Sequence, residues 1–181
     1  MKHLILLCLA LVTLLWPFAL KRTAKRPHKS LSYHLAATPE AIRFAKLVIP
    51  VVVASLGIWY FGWYVPTYKP VVLQTVLMTI IMVSCLVLAF VPYHEGTKRG
   101  LVHNIASYGG YAALMPFSVL MYAYEAHLFF AQAILVLVAM AMFVLALMPK
   151  IYPRIWNYFL YAQASYIVLF GSVLIVATYI G

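Results

Sequence analysis

The sequence predicts an all-α, polytopic integral membrane protein with six transmembrane helices and a short interfacial helix before the second. Composition is the first reason: of 181 residues, 66% are hydrophobic and only 9% are charged. A soluble domain averages about 45–50% apolar and about 25% charged residues. The second reason is that apolar runs of membrane-crossing length, about 17–25 residues, recur along the chain. A chain of this size cannot bury so much apolar surface in water, so we expect the bilayer to be its solvent.

Six apolar runs predict the six spans, and none of them contains Asp, Glu, Lys or Arg. In chain order the predicted spans are Leu4–Leu20, Leu47–Tyr68, Val71–Val91, Leu101–Tyr124, Ala126–Met148 and Ile155–Ile180. The chain is thereby divided into a first helix (1–20), a basic loop (21–46) and a five-helix membrane bundle (47–181). We interpret the first run as a retained anchor, because it lacks an A-x-A cleavage site and a basic stretch follows it directly.

Basic residues are concentrated in alternate connections. Seven of the thirteen Lys and Arg lie between Leu20 and Leu47, and the connections after the third and fifth spans hold two each. Only Lys2 and Lys69 fall on the other side. The positive-inside rule therefore places the three basic loops in the cytoplasm and both termini outside. Because this net charge of +10 lies next to the spans, it favours anionic lipid headgroups over nucleic acid as a partner.

The long first loop has two parts. The stretch "KRTAKRPHKS" is basic and polar, and we expect it to be mobile or to lie on headgroups. In "ATPEAIRFAKL", Thr38 as a cap, Pro39 at the first helical position and Glu40 in the first turn predict a helix start. We expect this helix to lie at the interface over residues 38–46 and then to turn into the second span, with a kink at Pro50.

Aromatic residues gather near the predicted membrane boundaries, where amphipathic rings anchor a protein at the headgroup level. This predicted aromatic belt consists of Trp59, Tyr60, Trp63 and Tyr64 on the outside and Trp156 and Tyr158 on the inside.

The stretch "FVPYHEGTKRGLVHNIASYGGYAAL", residues 90–114, concentrates the polar groups of the bundle. His103, Ser107 and Tyr111 are spaced i, i+4, i+8 and share one helix face, with Asn104 beside them. A polar stripe in a membrane helix is expected to face the bundle interior or a cavity. One interpretation is therefore a cytoplasmic-side pocket in which His103 carries a proton or contacts phosphate, as an acid or base in an enzyme or carrier.

Two other interpretations of this stretch stay open. His94, Glu95 and His103 offer three metal ligands, although their spacing matches no known metal motif. Alternatively, the loop histidine is simply hydrated and His103 bonds to a neighbouring carbonyl. For the pocket, Lys98 and Arg99 would hold an anionic headgroup beside His103. The full predicted headgroup set is Lys21, Arg22, Lys25, Arg26, Lys98 and Arg99.

Small and polar residues predict how the helices pack. Ala106 with Gly110, and Gly109 with Ala113, are small-xxx-small pairs that let another helix approach closely. The sixth span has a polar face that could pair with this helix or complete the pocket, and its members are Asn157, Tyr161 and Ser165.

Motifs of common catalytic and cofactor sites are absent from the sequence. Both cysteines, Cys8 and Cys85, fall inside apolar runs and read as small hydrophobic residues, without a disulfide framework. No carboxylate lies in a span, which argues against a proton relay or a cation transporter. No GxSxG, HExxH, Walker loop or CxxC occurs. We therefore expect no cofactor, and we expect a bound phospholipid.

The stretches "SLSYHLAATPEAIRFAKLVI" and "LAFVPYHEGTKRGLVHNIASYGGYAAL", together with six spans, resemble a family of small six-helix prokaryotic membrane proteins of unknown function, related to the Frag/DRAM/Sfk group. The residues that carry the resemblance are the "H-N-I-A" run His103–Ala106 and the "S-L-S" run Ser30–Ser32. The sequence departs from the family in having His94-Glu95 where an Asp is expected. The resemblance implies a lipid-associated protein of the prokaryotic cytoplasmic membrane and no named reaction.

Three functions follow as hypotheses. The leading one is a membrane-embedded binding or accessory protein that engages anionic lipid or a partner membrane protein through its basic face. The second is a lipid-modifying enzyme or small-solute carrier with a pocket around His103. The third is a structural subunit of a larger membrane complex or a homo-oligomer, for which the small-residue faces are suited.

Overall fold

The computed structural model describes residues 1–17, 21, 26–94, 96–125, 133, 134, 136–138, 140, 141, 143, 144 and 153–180. These residues are mainly helical and include no β-strand, so the all-α class is confirmed for them. The α-helices are α1 (Leu4–Leu14), α2 (Leu31–Leu35), α3 (Pro39–Trp59), α4 (Val65–Tyr68), α5 (Val72–Phe90), α6 (Lys98–Glu125) and α7 (Phe159–Tyr179). A π-helical segment, Tyr60–Tyr64, joins α3 to α4, and a 3-10 helix, Pro153–Tyr158, precedes α7.

Three helices of the described part are long and apolar enough to cross a membrane: Pro39–Tyr68, Val72–Phe90 and Phe159–Tyr179. They make the chain compatible with a membrane protein, although six spans were predicted. Helix α1 has 11 residues, which is short of the roughly 20 that a bilayer requires. Helix α6 has 28 residues, but the polar and small residues of its first half leave it less apolar than the three. The predicted fifth span, Ala126–Met148, lies largely outside the described residues.

Helix α3 begins where the sequence predicts. The Thr38 side chain accepts a hydrogen bond from the Ala41 backbone N–H at 3.2 Å, and Pro39 occupies the first turn. The prediction of a separate interfacial helix over 38–46 is wrong, because α3 runs unbroken to Trp59 with Pro50 inside it. The physical reason is a continuous buried stripe, which gives the first two turns the same packing surface as the rest of the helix. That stripe consists of Ala41, Ala45, Val48, Val52, Leu56 and Trp59.

The aromatic residues of the π-helical segment lie inside the bundle. Trp59, Tyr60 and Tyr64 are all 0% exposed, so their predicted role as an interfacial belt is wrong. The two hydroxyls are satisfied within the protein: the Tyr60 hydroxyl lies 3.2 Å from the Thr75 hydroxyl, and the Gln74 amide donates to the Tyr64 hydroxyl at 2.8 Å. The buried Trp59 Nε1 has no hydrogen-bond partner among the described residues. Among the other predicted belt residues, Trp63 is half-buried and Tyr158 is exposed, and the side chain of Trp156 lies outside the described part.

The two ends of the bundle have different contacts. At one end, His3 Nδ1 lies 2.8 Å from the Tyr179 hydroxyl, so the amino-terminal residues meet the last turn of α7. At the start of α7, the Leu160 backbone N–H donates to the Pro27 carbonyl oxygen at 3.1 Å. Both chain termini therefore lie at one end of the bundle, and the residues after the basic tract lie at the other.

Close packing fixes the positions of α1, α5 and α6. Helix α1 is embedded in the core, with Ile5 at 0% and Cys8 at 4% exposure. Helices α5 and α6 pack as antiparallel neighbours, and a Cβ added to Gly110 would lie 2.9 Å from Ser84 Cβ. Gly110 thus permits the close approach that its small-residue pattern predicts. Gly109 faces open space instead.

Candidate functional site

A cavity of about 220 Å³ lies in the middle of the bundle, and α1, α2, α3, α5, α6 and α7 all contribute to its wall. Along α6 the wall extends from His103 to Leu114, and along α7 from Gln163 to Leu174. Each of these stretches advances eleven residues, which is about 16 Å at about 1.5 Å per residue. The cavity therefore follows the helix axes over about half of the roughly 30 Å hydrocarbon thickness of a bilayer.

Most of the cavity wall is apolar. Aliphatic and aromatic side chains such as Val52, Leu114 and Phe170 line it, and none of its described wall residues is Lys, Arg, Asp or Glu. Such a wall leaves no ionic partner for a charged group, which would lose its hydration on entering. The cavity is therefore suited to hydrocarbon, with a few polar contacts.

His103 is the buried polar group at the start of α6. Its side chain is 3% exposed, and Nδ1–H donates to the Val91 carbonyl oxygen at 2.6 Å. The other ring nitrogen, Nε2, is buried and has no hydrogen-bond partner among the described residues. Tyr93, from the loop before α6, packs against this imidazole with the ring centroids 5.6 Å apart. The predicted carbonyl bond exists, and it leaves one nitrogen of a cavity-lining residue unpaired.

Tyr111 supplies the second unpaired polar atom of the cavity wall. Its hydroxyl is buried and has no partner of good geometry in the described part of the chain, although the Gln163 carboxamide is near. The Tyr111 ring stacks on Tyr166 of α7, with the centroids 5.4 Å apart. The ring is thereby held in place by α7 while its hydroxyl stays free to bond a ligand.

Gln163 closes the polar end from α7. It is 7% exposed, lines the cavity, and accepts a hydrogen bond from the Leu31 backbone N–H at 2.9 Å through Oε1. This bond ties the first turn of α2 to α7. Since Leu31 also lines the cavity, Gln163 both shapes the wall and holds α2 over it.

A row of contacts connects the cavity to basic residues outside it. Arg26 donates from its guanidinium to the Tyr33 hydroxyl at 2.8 Å, and Lys29 Nζ lies 5.0 Å from the Tyr33 ring centroid. Tyr33 in turn contacts Tyr93, with ring centroids 6.5 Å apart, and Tyr93 lines the cavity beside His103. Cations therefore stand near the polar end of the cavity without forming part of its described wall.

The structure brings together three of the predicted pocket residues, His103, Ser107 and Tyr111, which all line the cavity. Asn104 is half-buried and is not part of the wall. The predicted polar face of the sixth span does not line the cavity. Its members are all exposed: Asn157 in the 3-10 helix, and Tyr161 and Ser165 in α7. These three residues are therefore not part of the described cavity wall, because α7 turns the face of Gln163 and Tyr166 inward instead.

The predicted metal and headgroup residues lie outside the cavity wall where they are described. His94 is exposed, Glu95 is outside the described residues, and no three described His, Cys, Asp or Glu side chains are close enough to share a metal ion. Lys98 and Arg99 are exposed and do not line the cavity beside His103. Of the basic loop, Lys21 and Arg26 are exposed, and Arg22 and Lys25 lie outside the described residues.

Sequence reasoning missed three residues near the polar end: Gln163, Tyr93 and His34. His34 is 2% exposed and its Nε2 lies 3.2 Å from the Arg26 carbonyl oxygen. Gln163 carried a usable signal, because an amide in an apolar helix is costly to expose to lipid. Tyr93 and His34 carried none, because their positions depend on how α2 folds against the loop before α6. Both cysteines, Cys8 and Cys85, also line the cavity as free thiols.

No protein-family model, curated protein or solved structure matches this chain.

Proposed function

We propose that this protein is a membrane-embedded lipid-binding protein whose central cavity holds one apolar chain. The observation that carries the proposal is the cavity itself: an apolar wall inside the bundle, with two unpaired polar atoms, His103 Nε2 and the Tyr111 hydroxyl, on residues that line it. Ligand sites have this composition, mostly apolar with a few placed polar groups. Buried polar atoms normally have partners, so a ligand that supplies them is the simplest completion of the site.

The size of the cavity favours a single chain. A cavity needs at least roughly 10–15 Å³ to hold one water-sized group, so a volume of about 220 Å³ is large enough for several such groups joined in one chain. The axial length of about 16 Å, from eleven residues at about 1.5 Å each, also matches the depth of one leaflet of a roughly 30 Å hydrocarbon core.

Binding is better supported than catalysis. A catalytic histidine is normally oriented or assisted by a second acid, base or nucleophile within hydrogen-bond reach. Here Nδ1 of His103 bonds to a main-chain carbonyl, not to an acid or base, and the described cavity wall includes no carboxylate. The enzyme and carrier hypotheses therefore rank below a binding function.

The membrane arrangement belongs to the same proposal. We propose six spans in a prokaryotic cytoplasmic membrane, with both termini outside and the basic loops in the cytoplasm. In support, both termini lie at the end of the bundle opposite Pro27. Large apolar side chains face outward, including Val72 at 81% and Ile105 at 63% exposure, as expected for contact with lipid tails or a partner membrane protein. Kinship with the six-helix family related to the Frag/DRAM/Sfk group is part of the proposal.

Anionic headgroups would bind outside the cavity, on the exposed basic residues. The exposed cations Lys98, Arg99 and Arg26 support this second contact. To test it, the five basic residues Lys21, Arg22, Lys25, Arg26 and Lys29 are neutralised together. The expected result is weaker enrichment of anionic lipid around the reconstituted variant, with less dependence on salt than in the wild type, since each cation near a surface contributes about 1 kcal/mol. Unchanged enrichment at all salt concentrations would remove the headgroup contact.

The cavity is tested with two neighbouring residues of α3. Val52 lines the cavity and is 8% exposed, whereas Val51 is 48% exposed on the outside of the same helix. We expect Val52→Phe to reduce the lipid that stays bound to the purified protein in native mass spectra, because the added ring occupies cavity space. The matched control, Val51→Phe, should retain lipid as the wild type does. Equal lipid retention by both variants would refute an internal lipid site.

A further inference from the structure

The hydrogen-bonding state of His103 restricts the chemistry of the lipid that the proposed cavity would hold. A carbonyl oxygen can only accept, so the 2.6 Å bond to Val91 places the imidazole proton on Nδ1. A second proton on Nε2 would leave an imidazolium 3% exposed beside a wall whose described residues include no carboxylate. Such a buried, unpaired charge is costly. Nε2 is therefore a hydrogen-bond acceptor, and its ligand partner must be a donor.

The absence of cations from the described wall restricts the ligand further. The described cations on this side lie outside the cavity: Arg26 donates to the Tyr33 hydroxyl at 2.8 Å, and Lys29 lies 5.0 Å from the Tyr33 ring centroid. Lys98 and Arg99, at the start of α6, are exposed and do not line the cavity. A phosphate or carboxylate that entered beside His103 would lose its hydration without gaining a cation, and it would present acceptors to the acceptor nitrogen Nε2. Both effects oppose an anionic headgroup inside the cavity.

Building on the proposed lipid-binding function, we propose that the cavity ligand is a neutral, single-chain lipid with a free hydroxyl group, which donates a hydrogen bond to His103 Nε2. This proposal differs from the expectation that an anionic phospholipid headgroup sits beside His103. The Tyr111 hydroxyl, which is also without a good partner in the described residues, donates to an oxygen acceptor of the same lipid, such as an ester carbonyl. A monoacylglycerol has both groups and one chain, and is the representative of this class.

The experiment compares three ligands that share one oleoyl chain: 1-oleoylglycerol, its 3-phosphate and methyl oleate. Each is titrated into the full-length protein in detergent, and occupancy is measured by native mass spectrometry. Burying the acceptor Nε2 without a donor forfeits about one hydrogen bond, so 1-oleoylglycerol should bind about tenfold more tightly than methyl oleate. The phosphate should not displace bound 1-oleoylglycerol, since it would bind only at the basic surface.

Two matched variants assign the preference to one atom. In His103→Leu the acceptor is lost, so 1-oleoylglycerol should bind no more tightly than methyl oleate, whose affinity should be unchanged. In the control His94→Leu, which alters an exposed loop histidine, the tenfold preference should remain. Should His103→Leu fail to fold, the ligand series on the wild-type protein alone decides the question.

The outcomes separate this inference from the proposed function. Equal affinities of the wild-type protein for the glycerol and the methyl ester would overturn the inference and leave a lipid cavity standing. Tightest binding of the phosphate, with loss in His103→Leu, would also overturn it. If none of the three ligands bound, and the Val52→Phe variant retained as much lipid as the wild type, the lipid-binding function itself would fail.

Discussion

The two adjacent glycines of α6 give opposite predictions for the same substitution. A Cβ at Gly110 would lie 2.9 Å from Ser84 Cβ and 3.3 Å from Ser84 Oγ on α5, whereas a Cβ at Gly109 would meet nothing within 4 Å. Because Ser84 Cβ is attached directly to its backbone, a methyl group at Gly110 can be accommodated only by moving the two helices apart. We therefore expect Gly110→Ala to destabilise the bundle and Gly109→Ala to stabilise it.

The magnitudes follow from two opposing effects. Replacing a helical glycine by alanine stabilises a helix by roughly 0.5–1 kcal/mol through lower backbone entropy in the unfolded state. At Gly110, overpacking against Ser84 costs roughly 1–3 kcal/mol, which exceeds that gain. The two variants should therefore differ by about 1–3 kcal/mol in stability. For a chain of this length, about 2–4 °C per kcal/mol converts the difference to about 2–12 °C.

Thermal unfolding in one detergent, followed by intrinsic tryptophan fluorescence, measures this difference. We expect the Tm of Gly109→Ala to equal or exceed that of the wild type, and the Tm of Gly110→Ala to fall below it. Gly109→Ala serves as the control for helix propensity, because it makes the same chemical change one residue away. If Gly110→Ala were as stable as Gly109→Ala, the close packing of α5 on α6 at Ser84 would be refuted.

Two further predictions concern hydrogen bonds that position the cavity wall. In Gln163→Leu the Leu31 backbone N–H loses its acceptor at 2.9 Å, which should cost about 1–3 kcal/mol of stability. The control Ser165→Ala, on the exposed face of α7, should change the Tm little. Equal decreases of the Tm in both variants would contradict the assigned role of Gln163. Thr38→Ala removes the side-chain cap of α3 and should lower stability by about 0.5–2 kcal/mol. Thr38→Ser should restore the cap, and a failure to do so would show that the hydroxyl is not the stabilising group.

Helical periodicity located the important face of α6 and missed that of α7. On α6 the polar residues His103, Ser107 and Tyr111 repeat at i, i+4, i+8, and all three line the cavity. On α7 the same reasoning selected Tyr161 and its neighbours at that spacing, which are exposed. Gln163 lies two residues further on, about 200° around the helix at 3.6 residues per turn. Periodicity groups residues on a face, but the packing of neighbouring helices decides which face turns inward.

Residue type was also insufficient for the aromatic cluster, although it located the start of α3. Trp59, Tyr60 and Tyr64 have the amphipathic rings of an interfacial belt, yet all three are fully buried because partners on α5 satisfy two of their hydroxyls. Those partners lie on the next long helix, 10 and 15 residues away, and the sequence does not show which side chains of the two helices meet. Thr38 and Pro39 did mark the true beginning of α3. Local capping chemistry was therefore readable from the sequence, whereas the depth at which the helix is buried was not.

Photocrosslinking shows most directly whether one lipid chain occupies the cavity. A single-chain neutral lipid with a diazirine at the end of its tail is bound to the wild-type protein, irradiated and mapped by peptide mass spectrometry. We expect crosslinks at deep cavity residues such as Leu114 and Phe170. These crosslinks should be lost in Val52→Phe and kept in Val51→Phe. Crosslinks confined to outward residues such as Ile105 and Val168, which are 63% and 60% exposed, would contradict it.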